Sequence, residues 1–104
     1  HQESLRDFTD QWCKWYDDNL NKVFTNKRDI IVADTILELF RIRDNIENFN
    51  KKALYILIRE RTGLKTQNIT KVINVMKRDY AKMYSVYSKS GHIIPAYNLP
   101  NINQ

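Results

Sequence analysis

The chain has 104 residues, 42% hydrophobic and 28% charged, with one cysteine and a formal net charge of +5. That length and apolar content suffice for one domain with a modest core, and a lone cysteine excludes an internal disulfide and a cysteine-built zinc site. No stretch approaches the roughly 18 uninterrupted apolar residues of a membrane span, and the opening residues mix acids with aromatics instead of forming the apolar run of a signal peptide.

A reducing, cytoplasmic setting in a bacterial cell or a phage-infected host is therefore expected. Because residue 1 is His and not Met, flanking domains of a longer protein are expected to be missing. The abundance of Asn, Lys and Ile hints at an A+T-rich genome. Charge is unevenly placed: residues 1–52 hold nine Lys or Arg against ten Asp or Glu, a net of −1. Residues 53–104 hold eight against two, a net of +6. A clustered positive half is the electrostatic footprint of a phosphate-backbone binder, and equally that of an ordinary solvated surface.

Ser4 is placed to cap a first helix from about Leu5 to Phe24, with Asp7 and Asp10 near its start where the helix dipole favours acids. Its apolar stripe runs through Leu5, Phe8, Trp12, Trp15 or Tyr16, Leu20 and Val23. A polar break, TNKRD, follows, and Asp29 is the expected cap of a second helix from about Ile30 to Arg43. Val32, Ile36, Leu39 and Phe40 share one side of it. DNIENFN lacks helical period, so Ile46 and Phe49 are expected to plug the core from a loop or a short extended piece. Asn50 then caps a third helix, about Lys51 to Thr62, in which Leu54, Leu57 and Ile58 repeat at helical spacing.

Gly63 ends that helix. A glycine there can adopt the left-handed conformation that lets the chain turn sharply, and Thr66 offers a hydroxyl to cap a fourth helix. The fourth helix keeps its period through Ile69, Val72, Ile73, Met76, Tyr80, Met83 and Tyr87, roughly 22 residues or about 33 Å. After Ser90-Gly91, HIIPAYNLPNINQ carries Pro95 and Pro100 and reads as an extended tail. A single strand at His92 to Ile94 has no convincing partner, so a complete winged helix is not expected.

The segment Tyr55 to Asn74, YILIRERTGLKTQNITKVIN, resembles the helix-turn-helix family of bacterial and phage regulators. In a twenty-residue window from Tyr55, the family's apolar fourth, tenth, fifteenth and eighteenth places hold Ile58, Leu64, Ile69 and Val72, and its ninth-place glycine is Gly63. Two places depart: the fifth, usually small, is Arg59, and the eighth, usually apolar, is Thr62. The resemblance covers about a fifth of the chain and implies double-stranded DNA as partner, with the front of the fourth helix in the major groove.

On that reading Lys65, Thr66, Gln67, Thr70, Lys71 and Asn74 face outward. Gln and Asn pair with adenine edges, Thr meets a thymine methyl, and Lys reaches guanine or phosphate. The family's usage points to Gln67, Thr70, Lys71 and Asn74 as base or near-base readers, with Asn68 dependent on where the helix begins. Lys77 and Arg78, with Arg59 and Arg61 from the third helix, are expected on phosphates. The bland alternative is that these are the solvent-facing residues any helix needs.

Phe8, Trp12, Trp15 and Tyr16 have the spacing of a buried face, too wide for one narrow stripe, so one aromatic is expected to stay exposed and to favour self-association. Tyr80, Tyr84 and Tyr87 lack the Arg and His constellation of tyrosine recombinases. Asp34 and Glu38, four apart, have the spacing to share a divalent ion, but no third carboxylate joins them. His1 and His92 lie in terminal segments, and no phosphate-cradling glycine loop exists. No catalysis, cofactor, metal or small-molecule substrate is expected.

The sequence thus reads as an all-α domain spanning residues 1–104, with an N-terminal helix at about 5–24, a tri-helical core at about 30–88 and a tail at 89–104. Its expected work is sequence-dependent binding of duplex DNA in transcription regulation or another DNA transaction. The reading allows a homodimer, since one unit offers few base contacts. The competing reading is a helical protein-interaction or oligomerisation module within a larger nucleoprotein assembly.

Overall fold

The computed structural model describes residues 2–42 and 51–91, and these form four helices: α1 Gln2–Val23, α2 Lys27–Ile42, α3 Lys51–Thr62 and α4 Thr66–Ser90. No strand occurs among the described residues, and the fold is all-α. The expected loop positions of Ile46 and Phe49, the Asn50 cap, His1 and the extended tail from His92 lie outside the described residues.

The helix starts differ from expectation in informative ways. α1 begins at Gln2, so Ser4 lies inside its first turn and is not its cap. α2 begins at Lys27, because Asn26 takes the cap: its Oδ1 accepts the Arg28 amide at 2.8 Å, and its carbonyl accepts the Ile30 amide at 3.0 Å. Asp29 falls at the third helical position instead of before the helix. A carboxylate there is still favoured by the dipole, but its side chain is free for a tertiary partner.

The core forms where the apolar faces of the helices meet. α2 packs against α1, α3 and α4, and α1 also meets α4. Phe8, Trp12, Tyr16, Val32, Leu37, Ile58, Ile69, Val72 and Met83 are almost wholly buried together. The expected exposed aromatic of α1 is not found: Trp15 is 3% exposed and Tyr16 fully buried. At about 100° per residue, Phe8, Trp12, Trp15 and Tyr16 cover an arc of roughly 100°. That arc is too wide for one neighbouring helix, but α2 and α4 cover it together.

Trp12 packs on Tyr16, Phe40 and Tyr80, with ring centroids 5.3 Å from each. Phe8 packs edge-on against Tyr80 and Tyr84. Such pairs contribute about 0.5–1.5 kcal/mol each beyond the area they bury. Cys13 is buried beside them, and burial pushes its thiol up to about 11.

Candidate functional site

The link between α3 and α4 is three residues long, Gly63, Leu64 and Lys65. Gly63 has φ +69, the left-handed conformation expected of it, and its amide donates to the Arg59 carbonyl at 2.8 Å. Thr62 completes the turn: its hydroxyl donates to the Ile58 carbonyl at 2.8 Å and accepts the Leu64 amide at 3.1 Å. The polar residue at a usually apolar window place is thus spent on the bend itself. Leu64 is half-buried against the core.

Thr66 is not the cap of α4. Lys65 occupies that place in extended backbone, with no side-chain hydrogen bond, and Thr66 is the first helical residue. Lys65 still starts the helix, since its carbonyl accepts the amides of Asn68 at 3.0 Å and Ile69 at 3.2 Å.

From this start α4 divides cleanly. Ile69, Val72, Ile73, Met76 and Met83 are buried. Lys65, Thr66, Gln67, Lys71, Asn74, Lys77 and Arg78 are exposed, as are Arg59 and Arg61 on α3. Asn68 is half-buried. Thr70 departs from the outward edge: it is half-buried, and its hydroxyl shares a 2.8 Å hydrogen bond with the Tyr55 hydroxyl of α3. This bond ties the two helices across the turn.

Two of the exposed cations are engaged. Arg61 pairs with Glu38 of α2, both on the surface. No group of three metal-ligating side chains occurs among the described residues. Lys71 reaches Asp29 at 3.0 Å. That carboxylate is buried with only 6% of its side chain exposed, and its second oxygen lacks a hydrogen-bond partner. Lys71 itself keeps 61% of its side chain exposed, and so it presents charge to solvent while balancing a buried anion.

Beside the turn lies an open cleft of about 570 Å³ lined by Arg28, Gly63, Leu64, Lys65, Gln67, Asn68 and Lys71. Arg28 was not singled out from the sequence. Once Asn26 is recognised as the cap of α2, the second helical position puts this arginine at a helix start facing the turn. Three cations, two side-chain amides and an uncapped helix start thus border one concave surface. Such a surface suits an anionic, hydrogen-bonding partner.

No described helix is long and apolar enough to cross a membrane. Comparisons with protein-family models, curated proteins and solved structures find no match to this chain.

Proposed function

We propose that this chain binds double-stranded DNA in a sequence-dependent manner, in transcription control or another DNA transaction, and carries out no catalytic step. The leading edge of α4, Gln67 and Asn74, faces base edges in the major groove, and Lys71 beside them reaches guanine or phosphate. Lys65, Lys77, Arg78, Arg59 and Arg61 hold phosphates. The observation that carries the reading is the division of α4, whose apolar stripe anchors it while its basic, amide-bearing side stays open to solvent. A homodimer belongs to the reading because paired half-sites multiply affinity, although α1 contributes no open aromatic seam to it.

Fluorescence anisotropy with labelled random and A+T-rich duplexes at two salt concentrations tests this. Binding is expected to weaken steeply with salt, by about 0.9 log units per tenfold salt for each phosphate neutralised. Gln67→Ala and Asn74→Ala should relax the preference among duplexes, whereas Lys77→Ala and Arg78→Ala should weaken all duplexes alike. Absence of duplex binding at low salt sinks the reading. A second reading, a protein-docking module, rests on Ile56, which is 46% exposed. It borders a hollow of about 460 Å³ with Arg59, Glu60, Gly63, Leu64 and Lys65.

A further inference from the structure

Two exposed cations on α4, Lys82 and Lys89, have no place in the site described above. Steps of seven, four and seven residues lead from Lys71 to Arg78, Lys82 and Lys89. At 100° per residue the four fall within an arc of about 40° and form a row about 27 Å long. All four are exposed. The only carboxylate of α4, Asp79, accepts a hydrogen bond from the Tyr16 hydroxyl of α1 and leaves the open side of the helix without an acid.

Some surface cations are compensated, as in Lys14 with Asp18 and Arg41 with Asp17. Arg78, Lys82 and Lys89 have no ion-pair partner among the described residues. Arg78 and Lys82 stand four apart, a spacing at which like charges destabilise a helix. The helix dipole favours a cation at Lys89, in the last turn, but gives no reason for the other two.

We propose that α4 docks lengthwise on the duplex and not only by its tip, with Lys71, Arg78, Lys82 and Lys89 against the phosphates of one strand. Gln67 and Asn74 lie roughly 20–80° further round the helix from members of this row, so a strand held by the row leaves their edge turned towards the bases. The row is about 27 Å long, and its four cations allow up to four phosphate contacts along that strand. The inference rests on the DNA-binding reading and adds to it a docking direction and two residues.

Salt titrations of duplex affinity for the full chain, Lys82→Gln, Lys89→Gln and the double variant decide it, with Lys22→Gln on α1 as a control for net charge. The slope of log affinity against log salt should flatten by about 0.9 for each single variant and about 1.8 for the double variant. The ratio of affinities for preferred and random duplexes should not change. Unchanged slopes in a protein that still binds duplex overturn lengthwise docking and leave tip entry standing. An equal flattening by Lys22→Gln assigns the effect to net charge and also overturns it. If unmodified protein binds no duplex, the underlying reading has failed instead. If polyglutamate competes as well as duplex of matched charge, the row is a docking surface for acidic protein and the proposal falls.

Discussion

Replacing Lys71 by alanine perturbs the fold and the proposed interface together, and the two effects can be separated. The substitution leaves the Asp29 carboxylate, 6% exposed, with neither oxygen partnered. Removing one member of a fully buried ion pair costs about 3–5 kcal/mol. Here the lysine side chain is 61% exposed, so water already screens the pair and can replace part of it. The expected loss is therefore about 1–3 kcal/mol. Asp29→Asn removes the charge that needs compensation and should cost less, on the order of 1 kcal/mol. The double variant should then be more stable than the sum of the single losses implies, with a coupling of about 1 kcal/mol or more. Urea unfolding followed by the fluorescence of buried Trp12 and Trp15 measures this, provided the dependence on urea stays constant. Duplex titration well below each unfolding midpoint isolates the interface. There Lys71→Ala should weaken binding, whereas Asp29→Asn, which releases the lysine from its carboxylate, should tighten it at low salt. Strictly additive stabilities, or no destabilisation in Lys71→Ala, would refute the buried-charge argument.

Gly63→Ala should destabilise the protein by about 1–2 kcal/mol, the cost of a left-handed alanine. A Cβ there would meet nothing within 4 Å, so the loss would be purely backbone, and Gly63→Asn should lose less. Equal melting temperatures for all three proteins would refute this. Ile69→Ala, at a site with no exposure, should cost about 2–5 kcal/mol through lost burial and a cavity, seen as a lowered urea midpoint. Cys13 should resist thiol-specific reagents at pH 8 until the protein is unfolded, since its thiol is buried and raised from 9.0 to about 11. With the folded value above the unfolded one, the contribution to stability is whole below pH 9 and declines as pH rises towards 11, by on the order of 2 kcal/mol. Cys13→Ala should flatten that part of the alkaline stability profile.

The sequence disclosed most where periodicity and backbone chemistry coincide. The stripe Ile69, Val72, Ile73, Met76 and Met83 was legible because every member recurs at helical spacing, and all are buried. Gly63 was legible because a lone glycine between two such stripes has few other uses. Caps were misread at Ser4, Asp29 and Thr66: at α2 two residues able to cap, Asn26 and Asp29, stand three positions apart and local sequence does not rank them, while α4 starts after Lys65 with no side-chain cap bond at all. Asn26 prevailed over Asp29 and left that carboxylate to meet Lys71 from a distant part of the chain. Thr70 was read as outward because it borders the polar side of α4, and only the position of Tyr55 on α3 shows that its hydroxyl has an internal partner. The partners of Arg61 and Asp79 were hidden for the same reason, since each comes from another helix.

The length of α4 gains its meaning from how both halves are held. A helix of about 37 Å would fray in isolation, since most helical stability in proteins comes from packing. Its front half is fastened by Ile69, Val72 and Ile73 in the core and by the Thr70–Tyr55 bond. Its rear half lies on α1, where Tyr87 donates to Asp7 at 2.8 Å and Phe8 packs on Tyr80, Tyr84 and Tyr87. Gly91, at φ +80, closes the helix with its amide on the Tyr87 carbonyl and accepts from the Gln11 side chain. The aromatics of α1 are thus spent on bracing α4 and not on an open seam for a second chain. A brace along both halves fixes the backbone of the cationic row and of the Gln67–Asn74 edge before any partner arrives. Less backbone entropy is then lost on binding. Loosening the rear brace with Phe8→Ala, at low temperature where the fold persists, should weaken duplex binding although Phe8 is fully buried. Unchanged affinity in a variant shown by hydrogen exchange to fray at the end of α4 would show that rigidity there contributes nothing to binding.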